Sequence, residues 1–184
     1  IGYIKGLVLL MPILSRFGLD AEDTLNSWAT QSNDLPRIKE SYDHIVAIER
    51  GRPGACKILQ KEFGIRNFNR YPPELLIDQY DNRNNIDKPY GINIWPYSDH
   101  NGTFGGQLKM WKDFHADLGN KGYLFRVVEI TGRKDFLEKL KELNNRYGKT
   151  NKISFVILSA HADPDSLTIG DFEKHPDELE MSVG

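Results

Sequence analysis

Over residues 1–83, apolar positions recur at intervals of three to four, and turn residues break the rhythm at Gly18, Asn33-Asp34, Gly51 with Pro53, Gly64 and Pro72-Pro73. This pattern predicts a series of helices ended by glycine and proline. Ile38, Tyr42, Ile45 and Ile48 keep to one helical face. Pro73 opens a further segment that buries Leu75, Leu76 and Tyr80, because the first turn of a helix tolerates a residue without an N–H. Residues 1–17 are apolar but interrupted by Lys5 and Pro12, and they fall short of the roughly 20 residues that cross a bilayer. A buried helix is the expectation there.

The rhythm changes after residues 81–88, the most polar stretch of the chain, which ends at Pro89 and reads as a linker. Residues 90–97 carry Ile92, Ile94 and Trp95 in a short apolar run that predicts a strand. Leu108, Trp111, Phe114, His115 and Leu118 then share one helical face. Residues 124–130 are rich in β-formers, Phe136, Leu137, Leu140 and Leu143 mark a second amphipathic helix, and residues 153–158 form a nearly continuous apolar strand of the kind buried on both faces. The order strand, helix, strand, helix, strand has spacers long enough for parallel crossovers. The expected fold is α/β, a parallel sheet with flanking helices over residues 89–184, preceded by a helical region or cap over residues 1–88.

Composition narrows the function only by exclusion. An apolar share of 39% and a charged share of 27% fit an ordinary globular protein, and a net charge of -2 gives no pull toward nucleic acid or an anionic membrane. Neither is expected as a partner. Cys56 is the only cysteine, so no internal disulfide forms, and a reducing, cytoplasmic setting is expected. Ile at position 1, and Gly184 directly after Met181 and Val183, give the sequence the look of a piece of a longer chain.

Ligands of open α/β sheets bind beyond the C-terminal ends of the strands, near the point where strand order reverses. With the first and third strands as neighbours, Asp99, His100 and Asn101 would end beside Ser159, Ala160 and His161. His161 is the sharpest single candidate. It follows a buried strand at once, precedes the turn-rich Ala162-Asp163-Pro164-Asp165, and titrates near neutral pH, which suits general acid or base work.

This arrangement, with Ser159-Ala160-His161 after the third strand, resembles the histidine-bearing half of caspase-like cysteine peptidases, which include caspases, metacaspases, gingipain-type enzymes and CHAT-domain proteases. The resemblance covers residues 90–170, and Ala162 stands where that family usually has glycine. It implies that His161 is the general base for a cysteine on the next strand, roughly 30 to 60 residues further on, a distance that fits one crossover. No cysteine follows His161 here, so the resemblance puts the nucleophile on a segment beyond Gly184. It also implies that Asp99, His100, Asn101, Ala160 and Asp163 border a pocket for a peptide or protein substrate, with Asp99 facing a basic side chain. A complementary chain carrying the rest of the domain is a further implied partner, and no cofactor is expected.

Other readings compete. A non-catalytic α/β module for protein association, a degenerate relative of such peptidases, fits the same elements, and Asp99, His100, His161, Asp163 and Asp165 include metal-ligand types, so that a metal-dependent hydrolase is a third reading. Cys56 sits near a predicted helix start, where a thiolate would be favoured, although a buried structural thiol is the default. Gly102, Gly105 and Gly106 lack the spacing of a phosphate-binding loop. His44 and His115 read as ordinary helix residues, and His175 lies in an acidic tail, residues 171–180, that reads as a solvated face or loop.

Overall fold

The computed structural model describes residues 14–19, 35–97, 107–151, 153–163, 166–169 and 180–182. Two compact units emerge, one made of Ile1–Tyr80 and Asp99–Phe114, the other of Asp81–Ser98 and His115–Gly184.

In the first unit, α1 (Leu35–Gly51), α2 (Ala55–Phe63), a short 3-10 turn at Phe68–Arg70 and α3 (Pro73–Asp81) follow in order. Their shared core takes Ile45, Ile48, Leu59, Phe63, Phe68, Leu75 and Leu76 out of water. The helical rhythm of the sequence thus marks a real apolar face. His44 on α1 donates from Nδ1 to the Phe68 carbonyl at 3.1 Å and ties α1 to the 3-10 turn. Gly64 closes α2 in the left-handed conformation (φ 72°), and the amides of Gly64 and Ile65 turn back onto the carbonyls of Gln60 and Leu59. Only glycine holds that conformation without strain, so the position of the helix end is written in the residue. The membrane question raised by residues 1–17 falls almost wholly outside the described residues. Among the described residues, no helix is long and apolar enough to cross a membrane.

The second unit is built on a three-stranded, all-parallel sheet. Its strands are β1 (Tyr90–Pro96), β2 (Leu124–Ile130) and β3 (Ile153–Leu158), in the order β2-β1-β3. α4 (Leu108–Asn120) and α5 (Arg133–Tyr147) supply the crossovers, and the expected α/β class with a parallel sheet and flanking helices is the one observed. Every residue of β1 and β2 is buried. β3 departs from expectation, since it alternates between half-buried and exposed positions and Val156 is 50% exposed. The cause is topological: β3 pairs with β1 on one side only, so an apolar run that reads as central becomes an edge strand among the described residues.

The polar stretch after α3 is less loose than a linker. Arg126 on β2, 1% exposed, stacks between the rings of Tyr90 (4.4 Å) and Tyr147 (4.3 Å), and its Nη2 donates to the backbone carbonyls of Asn82 (3.2 Å) and Asn85 (3.4 Å). The Tyr147 hydroxyl donates to the Arg83 carbonyl, and the Asn151 side-chain amide to that of Lys88. Residues 82–88 are therefore fastened to the N-terminal edge of the sheet. Burying a guanidinium costs several kcal/mol, while a desolvated cation–π contact returns about 2 kcal/mol. Two rings and two charge-assisted hydrogen bonds offset much of that cost. Burial still pushes the guanidinium below its ordinary range, against the opposing influence of Tyr147 and Tyr90.

Candidate functional site at the C-terminal edge of the sheet

β1 and β3 are neighbours in parallel register, Ile94 beside Leu158, so their C-terminal ends lie side by side. Pairing continues one residue past β3, where the Ser159 amide donates to the Ile94 carbonyl at 2.9 Å. The Ser159 hydroxyl then donates to Oδ1 of Asn93 at 3.0 Å. Asn93 lies between Ile92 and Ile94 in a wholly buried strand, and its amide nitrogen finds no partner among the described residues. A polar side chain in such a run is normally held by hydrogen bonds. Here the bond locks the segment that leads into His161.

On the other side of β1, Tyr97 donates its amide to the Ile130 carbonyl at 2.7 Å and carries the β1–β2 pairing past the strand end. Thr131 follows, with both its amide (2.9 Å) and its hydroxyl (3.3 Å) directed to Oδ2 of Asp135 in the first turn of α5. That carboxylate fixes the turn from β2 into the helix and complements the positive end of the helix dipole. Glu129, fully buried on β2 opposite Trp95, adds a second polar residue to the same half of the sheet.

Of the residues singled out from sequence, Asp99, His100 and Asn101 lie outside the described residues. Ala160 is half-buried directly after β3. His161 does not open a loop, as expected; it opens β4 (His161–Asp163), which pairs antiparallel with β5 (Ser166–Thr168), His161 opposite Thr168 and Asp163 opposite Ser166. β6 (Glu180–Ser182) adds a third antiparallel strand. The acidic stretch, expected to be a solvated face or a loop, ends at Glu180, the first residue of this strand; residues 171–179 lie outside the described residues. Ala162 and Leu167 are register partners in that hairpin, and a three-residue strand is too short for periodicity to reveal.

Cys56 departs from the electrostatic reading of its position. The amides at the start of α2 that would favour a thiolate are taken by Glu49, whose carboxylate accepts from Gly54 (2.6 Å) and Cys56 (2.8 Å). Burial first, and the Glu49 charge second, push the thiol far above its ordinary range. It is a fully buried, inert thiol, as its default reading held. Among the described residues, no three potential metal ligands cluster; Asp99, His100 and Asp165 lie outside them.

The sequence reading missed Asn93, Thr131 and Asp135 as contributors to this edge. A lone Asn inside an apolar strand, and an Asp four residues after a strand-ending Thr, were the available signals. Comparison of the chain with protein-family models, curated proteins and solved structures finds no match.

Proposed function

We propose that the second unit is the histidine-bearing part of a caspase-like cysteine peptidase, with His161 as general base and the nucleophilic cysteine on a further segment of a longer protein. The supporting observation is the pairing of β1 with β3 in a parallel sheet, which sets the segment leading into His161 at the C-terminal edge, where α/β ligands bind. The half-exposed edge of β3 is in keeping with one more strand joining there. Cys56 is too buried and too weakly acidic to serve as the nucleophile, so the thiolate has to come from outside these 184 residues.

In this reading, His161 takes the proton from the incoming thiol and returns it to the leaving amine. Asp99, His100, Asn101, Ala160 and Asp163 border the peptide. In the complete protein, His161→Ala lowers peptide cleavage by more than about a hundredfold with nearly unchanged thermal stability. Retained turnover, or a complete coding sequence without a cysteine after a following strand, defeats the proposal.

A second reading is favoured by the hairpin: His161 stands in an antiparallel ribbon and no reactive thiol accompanies it. A non-catalytic association module has this form. It predicts that a thiol-directed peptide inhibitor fails to label the complete protein.

A further inference from the structure

The first unit holds a surface pocket of about 460 Å³ that shares no residue with the proposed site. Its walls come from separate places in the sequence. Tyr42, Val46 and Glu49 follow one another at four and three residues along α1, hence on one face, beside the face on which Ile45 and Ile48 enter the core. Phe17 lines the same space from the turn at residues 14–19, which is anchored by the buried Leu14 and Leu19. Pro53, between α1 and α2, completes the apolar lining. Phe17, Tyr42 and Val46 are only half-buried, so the folded chain leaves part of their apolar surface open here. The volume lies within the range of roughly 300–1,000 Å³ in which small-molecule sites fall.

Three charged residues line the pocket as well. Glu49 is already engaged, its two carboxylate oxygens on the Gly54 and Cys56 amides. Arg16 and Arg50 are exposed, and among the described residues neither has a hydrogen-bond or ion-pair partner. Two guanidiniums against one carboxylate leave one net positive charge in the lining. A single carboxylate balances it, and guanidinium holds a carboxylate through paired, charge-assisted hydrogen bonds. A phosphate dianion would exceed that charge beside Glu49. Water alone would leave the Phe17, Tyr42 and Val46 surfaces wet, whereas an apolar body displaces it with a gain in free energy.

We propose that this pocket binds a small organic acid with an aromatic body and a single carboxylate, the ring against Phe17, Tyr42 and Val46 and the carboxylate held by Arg16 and Arg50. The probe is 4-phenylbutyrate, titrated into the full chain by calorimetry, with its neutral amide as the control. Saturable binding of the acid to one site is the expected result. The amide binds about tenfold more weakly or worse, because it forfeits the charge-assisted bonds. Arg16→Gln and Arg50→Gln change exposed side chains and leave the core intact. Each weakens binding of the acid by about tenfold. In amide NMR spectra the acid shifts the signals of Phe17, Tyr42 and Val46. Absence of saturable binding, an amide as tight as the acid, shifts confined to other residues, or undiminished binding in the double arginine variant overturns the proposal.

Discussion

The Phe155 ring lies directly over Gly91, so close that a Cβ at Gly91 would stand 2.1 Å from Cζ of the ring. The two residues are partners in the β1–β3 register, next to a shift in the pairing between Tyr90 and Gly91. The missing side chain on β1 is what lets β3 approach, and β3 in turn sets the place from which Ser159 and His161 follow.

Gly91→Ala should therefore destabilise the chain by about 1–3 kcal/mol, the usual range for overpacking a well-filled core. Combined with Phe155→Leu, the same change should cost clearly less, because the clash is with the ring. Urea denaturation of the two single variants and the double variant reads the coupling. Purely additive costs would mean that the ring is not the obstacle.

Ser159 gives a second test on the same strand pair. Removing its hydroxyl in Ser159→Ala leaves Oδ1 of Asn93 buried without the donor it now has. A buried polar atom stripped of its partner costs about 1–3 kcal/mol. Thermal denaturation should show that loss. Asn93→Leu with Ser159→Ala should recover part of it, since two apolar side chains leave no orphaned group at that bond.

How far the fold was legible depended on whether the signal was local. The three parallel strands and the helices between them follow from periodicity, and α2 ends at Gly64 because the chain there needs a left-handed residue. Arg126 was illegible for the opposite reason. Within Leu-Phe-Arg-Val-Val-Glu-Ile it looks like an outward-facing charge, and only tertiary structure brings Tyr90, Tyr147 and the Asn82 and Asn85 carbonyls to it. The edge character of β3 is likewise a property of strand order, which no composition within Ile153–Leu158 encodes. At the candidate site, the adjacency of β1 and β3 entered the sequence reading only as a condition, because strand order is not written in local periodicity, and the pairing meets it. The Asn93–Ser159 bond and the hairpin at His161 were not anticipated, because each depends on a partner distant in sequence or on a strand of three residues.

Glu49 caps α2 from the preceding helix, with one carboxylate oxygen on Gly54 and the other on Cys56. Losing a helix cap costs about 0.5–2 kcal/mol. Glu49→Ala should fall in the upper half of that range, since two amides lose their acceptor. Glu49→Gln keeps one good acceptor and should lose less. Urea midpoints of the three proteins give the order, and an Ala variant as stable as the parent would contradict the cap.

Cys56 yields the pH prediction. Its ordinary value is 9.0, and burial with the nearby Glu49 carboxylate raises it in the folded chain. The fold therefore favours the neutral thiol, while the unfolded chain ionises it freely. The corresponding stability is fully present below pH 9.0 and declines as the pH climbs above it toward the raised folded value. A Cys56→Ala variant should lack this alkaline component, so its stability curve above pH 9 should be flatter than that of the parent. In the parent at pH 8, the thiol should react with a disulfide reagent only as fast as the chain opens, and urea should speed the reaction steeply. Fast labelling under native conditions would show an accessible thiolate and return Cys56 to the list of possible nucleophiles.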